Sequence, residues 1–206
     1  YDKLETLVQK KDIRKSEIIE HPSYVSELAR YIMTDLKEFR KIQGDDTLGG
    51  MVICETSEQA RRLYDVFQEE WQKYQPKPIK IKLSDGSYVV GEPEVDYKSK
   101  YRPLKAGIIL HDTDDKETRK QIVKDFKKNM TVDILIVFNM LLTGFDAPRL
   151  KRLYFGRKLK DHNLLQAITR VNRPYPGMRY GFVIDFADIK RNFKETNEAY
   201  LQELNR

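Results

Sequence analysis

Gln166, Arg170 and Arg173 lie together in LLQAITRVNRPYPG, from Leu164 to Gly177, and all three are side chains that bind anions. A guanidinium stays charged at any physiological pH and offers a planar fork shaped for phosphate or carboxylate oxygens, and a carboxamide adds a donor and an acceptor. At about 100° per residue, Leu164, Ile168 and Val171 share one stripe of a helix, while Gln166, Arg170 and Arg173 fall roughly opposite, before Pro174 ends the element. Two arginines three apart suit a phosphate-facing surface. A solvated helix face has the same spacing, and spacing alone does not choose between them.

A second stretch, NMLLTGFDAPRL from Asn139 to Leu150, gathers a hydroxyl, a glycine, a carboxylate and a proline. Gly144 lets backbone approach a ligand closely, Thr143 can donate to a phosphate oxygen, and Asp146 can accept from a sugar hydroxyl or orient a guanidinium. The same residues also make a tight strand exit in which Asp146 and Pro148 only shape the turn. Asp112, Asp114 and Asp115 read as acidic residues capping the start of a helix. His21, His111 and His162 are scattered without an H-x-x-x-H pair, and Cys54 is the single cysteine, so no structural metal is expected. A lone cysteine in an apolar run also fits a reducing, cytoplasmic setting.

These groups need elements to hold them. Val25, Leu28, Ile32, Leu36 and Phe39 recur at helical spacing after the His21-Pro22 start signal, and GDD at Gly44 to Asp46 closes a helical segment of some 45 residues. Gly49-Gly50 leads into MVICE, a buried strand, and from Ser57, the expected cap, a long helix carries Ala60, Leu63, Tyr64, Phe67, Trp71 and Tyr74. Residues 75 to 105 are broken by four prolines and alternate on both sides of Asp85-Gly86, which reads as a hairpin insertion. Strand and helix then resume with GIIL (107–110), a helix bearing Ile122, Val123 and Phe126, the apolar DILIVF (133–138), RLYFG (152–156), the arginine helix and YGFVIDF (180–186). Strands alternating with helices imply a mostly parallel sheet with right-handed crossovers, whose ligands meet the loops at the carboxyl ends of the strands. The 139–150 loop is therefore expected at that edge.

The whole chain sets outer bounds. Its 206 residues fit one large domain, or one domain with an appended helical segment, and its net charge of +6 and pI of about 9.2 permit a nucleic-acid partner without requiring one. No run of 18 apolar residues and no signal peptide occur, so no membrane association is expected. The chain opens on Tyr1, as expected of a piece of something longer. A nucleotide-binding oxidoreductase is the weakest contender, because no G-x-G-x-x-G follows any expected strand.

The order of the pieces carries a resemblance. The strand and helix at 50–74, then DILIVFNMLLTGFDAP, then QAITRVNR resemble the fourth, fifth and sixth motifs in the second RecA-like motor domain of superfamily 2 helicases. MLLTGFDAP, LKDHNLLQAITRVNRPYPG and GFVIDF together resemble the motor subunit of type I restriction enzymes, an ATP-driven DNA translocase and endonuclease. Thr169 stands where many DEAD-box helicases carry glycine, which separates this chain from that subgroup.

The resemblance implies an α/β, RecA-like (P-loop NTPase type) motor domain over 46–190, with a helical connector at 1–45 packed on it and a C-terminal helix at 191–206 leading to the next domain. It also implies ATP-contacting roles for Gln166, Gly144, Asp146, Arg170 and Arg173, with Arg173 as the arginine finger and Arg170 its companion. Thr143, Thr56 and Ser57 would contact DNA phosphate. The chain carries neither a G-x-x-x-x-G-K-[ST] loop nor a D-E-x-x box, so ATP and Mg²⁺ would be held mainly by a preceding motor domain and the isolated segment would be inactive. Double-stranded DNA, the first motor domain, and methyltransferase and specificity subunits are the implied partners. A repair helicase of the same superfamily and a non-catalytic nucleic-acid-binding domain of this fold are the rival readings.

Overall fold

The computed structural model describes residues 15–74, 79–82, 87–91, 102–111, 115–140, 145–159 and 161–187. Helices α1 (Lys15–Ile19) and α2 (Pro22–Gln43) precede strand β1 (Gly49–Ile53), which leads into α3 (Ser57–Lys73). The hairpin β2 (Ile79–Lys82) and β3 (Tyr88–Gly91) follows, then β4 (Ala106–Ile109), α4 (Lys116–Lys124) with a π-helical extension (Asp125–Asn129), and β5 (Ile134–Val137). Strand β6 (Leu150–Phe155), α5 (Asp161–Val171) and β7 (Phe182–Asp185) complete the described elements. Five strands form one sheet in the order β4-β5-β1-β6-β7, with every pairing parallel. The hairpin is antiparallel and separate from that sheet, as the 75–105 alternation predicts; its Asp85-Gly86 turn lies outside the described residues.

Local chemistry sets the helix ends. Pro22 starts α2, where its missing N–H costs nothing, the His21 imidazole accepts from the Ser23 amide at 3.3 Å, and Gly44 closes the helix at φ 66°. The cap of α3 is Thr56 and not Ser57: its hydroxyl accepts from the Gln59 amide at 3.0 Å, and Ser57 is the first helical residue. Both residues suit the role, and only the backbone geometry separates them. Asp115 caps α4 by accepting from the Thr118 amide at 2.7 Å; Asp112 and Asp114 lie outside the described residues.

The period of two along each strand divides the core into two layers. Val52, Cys54, Ile134, Ile136 and Tyr154 point to one face, where Val25, Leu28, Ile32 and Leu36 of α2 and Ala60, Leu63 and Phe67 of α3 cover them. Met51, Ile53, Leu135, Val137, Leu153 and Phe155 point to the other, against Phe126, Leu164, Ala167 and Val171 of the α4 and α5 side. Each fully buried Leu, Ile or Phe in these layers contributes about 1.5–3 kcal/mol. Gly49 is inside β1 and needs to be glycine, because a Cβ there would lie 2.5 Å from the Phe126 ring. That close approach seats the ring under the start of the sheet, where it meets Phe145 at 6.0 Å.

Candidate functional site

Helix α5 lays Leu164, Ala167 and Val171 on the sheet and stops at Val171, earlier than the spacing predicts. Arg173 therefore lies past the helix and not on its polar face. Arg170 also departs from expectation: it is 9% exposed, because the Phe145–Arg149 segment lies against that flank of the helix. Its guanidinium donates to the Phe145 carbonyl at 2.9 Å and to the Gln166 side-chain oxygen at 2.8 Å. Arg173 faces Asp146 with Nε 3.4 Å from Oδ1, and both side chains are about half exposed, at 48% and 59%. The two motifs thus meet through one buried arginine and one open ion pair.

The meeting place corrects the expected edge. The 138–149 segment leaves β5 at the carboxyl end of the sheet, but the Arg149 carbonyl accepts from the Gly49 amide at 2.7 Å, at the amino end of β1. Phe145 packs on Phe126 at the same end. Helix α5 runs back against the strands, so its last turn also arrives there. The rule that ligands meet the carboxyl ends of the strands picks out this loop by its first residues, while Asp146 belongs to its far end.

Three charged residues that the sequence reading passed over build this corner. Lys151 is fully buried in β6 and donates to the carbonyls of Val171, at 3.3 Å, and Arg173. Burial draws its ammonium below the usual lysine pKa. Arg149 spans the carbonyls of Phe126 at 2.6 Å, Val132 at 2.9 Å and Thr47, with its guanidinium 4.6 Å from the Phe126 ring centre. Burial first, then the neighbouring Arg40, pushes its pKa down to about 10, which still leaves it cationic at neutral pH. Asp133, 1% exposed, accepts from Arg40 at 2.8 Å, Arg102 at 2.7 Å and the Lys105 amide at 2.8 Å. For the two cations the available signal was PRLKRLYF, where Arg149, Lys151 and Arg152 crowd the start of a strand whose other residues are apolar or aromatic.

Thr56 and Ser57 are elsewhere, at the start of α3. Thr143 and Gly144 lie outside the described residues. The Thr56 hydroxyl, besides capping α3, donates to the Glu20 carboxylate at 2.6 Å, and Ser57 is half-buried beside it after the carboxyl end of β1. Among the described residues, no group of three His, Cys, Asp or Glu side chains could hold a metal ion, and no helix is long and apolar enough to cross a membrane.

Chemically, the corner offers a half-exposed guanidinium, a second guanidinium locked behind it, a carboxamide and one carboxylate. That set attracts a trigonal or tetrahedral anion and adds an acceptor for a hydroxyl.

The parallel sheet flanked by helices defines a RecA-like domain of the kind found as the second domain of helicases. The second domain of the DEAD-box helicase Mss116p, solved bound to an RNA duplex, superposes with a TM-score of 0.53 at 15% identity, covering 87% of this chain and 56% of that one; this likeness shows the fold alone. The family model for type I restriction enzyme subunit R domain 3 matches residues 47–188, and the chain belongs to that family.

A protein of Methanocaldococcus jannaschii, named as a candidate endonuclease subunit of type I restriction enzyme MjaVIIIP, is 30% identical over 209 residues, or 94% of this chain. The type I restriction enzyme SauCOLORF180P endonuclease subunit of Staphylococcus aureus strain COL is 42% identical over 78 residues, or 37% of this chain. The matched regions span only 19% and 8% of those two relatives.

Proposed function

We propose that this domain is the second motor domain of the ATP-dependent DNA translocase and endonuclease subunit of a type I restriction-modification system, and that Arg173 is its arginine finger. The observation that carries this reading is the joint between the two motifs, in which buried Arg170 fastens Phe145 while Arg173 and Asp146 stay half exposed. One arginine holds the site together and the other is presented. ATP suits the donor set: Arg173 and Gln166 would bind phosphate oxygens, Asp146 a ribose hydroxyl, and Gly144 would let backbone come close. ATP and Mg²⁺ would be held mainly by the first motor domain of the same polypeptide, and the nuclease would lie outside this segment.

A finger neutralises charge that develops on the transferring phosphoryl group and is worth about 10³ to 10⁵ in rate in other nucleotide hydrolases. Closure of the two motor domains would bring Arg173 to that charge, while Thr56, Ser57 and Thr143 contact DNA phosphates and carry no base information. Double-stranded DNA and the methyltransferase and specificity subunits would be the partners, in the cytoplasm. The segment by itself would not hydrolyse ATP.

DNA-stimulated ATP turnover of the full-length parent, wild type against Arg173→Ala, tests this. The expected result is a loss of about a hundredfold or more with near-native ATP affinity, equivalent to about 2.7 kcal/mol of transition-state stabilisation. Unchanged turnover would remove the finger.

A further inference from the structure

We infer that Lys151 is a positioning residue for Arg173, holding the backbone from which the finger projects. This rests on the reading of Arg173 given above.

Strand β6 is covered on both faces, and its positions ordinarily take Val, Ile or Leu. A lysine with no exposed surface is costly there, since its ammonium has left water, whereas a methionine would fill nearly the same space without that cost. The position of the ammonium shows what the charge does. Helix α5 ends at Val171 without a glycine to close its last turn, because Asn172, Arg173 and Pro174 follow. The last carbonyls of a helix need donors and form the negative end of its dipole. Lys151 reaches across from the neighbouring strand and supplies donor and charge together, to the carbonyls of Val171 and Arg173. Pro174 disfavours helical backbone at Arg173 from the other side.

The same strand start holds the finger's partner. Leu150 donates its amide to the Ala147 carbonyl at 2.9 Å, one residue beyond Asp146. Adjacent residues of one rigid strand therefore fix both members of the Asp146–Arg173 pair. A finger displaced by an ångström loses much of its effect, and such errors cost up to about a hundredfold in rate.

The test is a double-mutant cycle on DNA-stimulated ATP turnover in the full-length parent, with Lys151→Met, Lys151→Gln, Arg173→Ala and the pair Lys151→Met with Arg173→Ala. Lys151→Met is expected to lower kcat about tenfold or more, leave the KM for ATP within about twofold, and cost nothing further in the Arg173→Ala background. Lys151→Gln keeps a donor and is expected to recover most of the loss; if Lys151→Met does not fold, the cycle is run with Lys151→Gln, whose smaller loss must vanish in the Arg173→Ala background. Full activity of Lys151→Met beside a defective Arg173→Ala overturns the positioning role alone, as do additive losses or equal defects of the Gln and Met variants. An Arg173→Ala variant without a defect overturns the finger reading and the role of Lys151 with it.

Discussion

Two arginine–carboxylate pairs show how this domain separates holding from presenting. Asp133 is 1% exposed, and its carboxylate is saturated by Arg40 at 2.8 Å, by Arg102 and by the Lys105 amide. Asp146 and Arg173 face each other at 3.4 Å with about half of each side chain in water. The first pair ties α2 and the segment before β4 to the start of β5, as permanent structure must. The second lies on loops at the same end of the sheet, open to solvent. Chemically the pairs are alike. Burial and saturation set the difference, so the open pair is where a ligand can compete.

The comparison breaks most visibly at Asp133. Asp133→Ala leaves the Arg40 guanidinium buried without its counter-charge, which costs about 3–5 kcal/mol. Urea unfolding of the domain reads this as a lower midpoint at similar slope. A loss below about 1 kcal/mol would mean that the buried network is dispensable, and the contrast with the open pair would fail.

Much of the architecture was legible because it rests on repeating patterns. The apolar runs at MVICE and DILIVF became β1 and β5, and the Val25–Phe39 spacing became the buried face of α2. The boundaries of β6 and α5 were less so, since strand β6 begins at Leu150, ahead of RLYFG, and includes a lysine no apolar pattern would admit. At the site, the types of residue were legible and their surroundings were not. Arg170 and Arg173 look equivalent in QAITRVNR, yet a loop twenty-five residues upstream covers one and leaves the other open. Long-range packing of that kind leaves no periodic trace. Lys151 and Asp133 were missed for the same reason, because a charge in a strand declares its role only when its partner is seen.

Asp146 sharpens the comparison from the open side. A half-exposed pair at 3.4 Å contributes about 1 kcal/mol or less, so Asp146→Ala should barely move the urea midpoint. If the pair orients the finger, DNA-stimulated turnover of the full-length parent should nevertheless fall about tenfold, equivalent to about 1.4 kcal/mol. The opposite pattern, a large stability loss with normal turnover, would make this pair structural like Asp133.

Asp45 lies between the two extremes and gives the smallest effect. Its carboxylate accepts from the Thr47 amide at 2.8 Å and the Thr47 hydroxyl at 2.6 Å, and that hydroxyl lies 2.7 Å from the Tyr175 hydroxyl in the turn after the sixth motif. Burial works to raise its pKa, but the Thr47 and Tyr175 hydrogen bonds and Arg40 outweigh it and hold the group below the usual aspartate value of 3.8. A carboxyl group with a depressed folded pKa stabilises the fold above its unfolded pKa and loses that contribution as pH falls through the folded one. Asp45→Asn should therefore cost about 1 kcal/mol or less at pH 7, and the gap to wild type should close below about pH 4. Urea midpoints measured from pH 7 down to pH 3 would show the two curves converging. A constant gap would mean that the charge on Asp45 contributes nothing, and that the tie through Thr47 to Tyr175 rests on hydrogen bonds an asparagine does not reproduce.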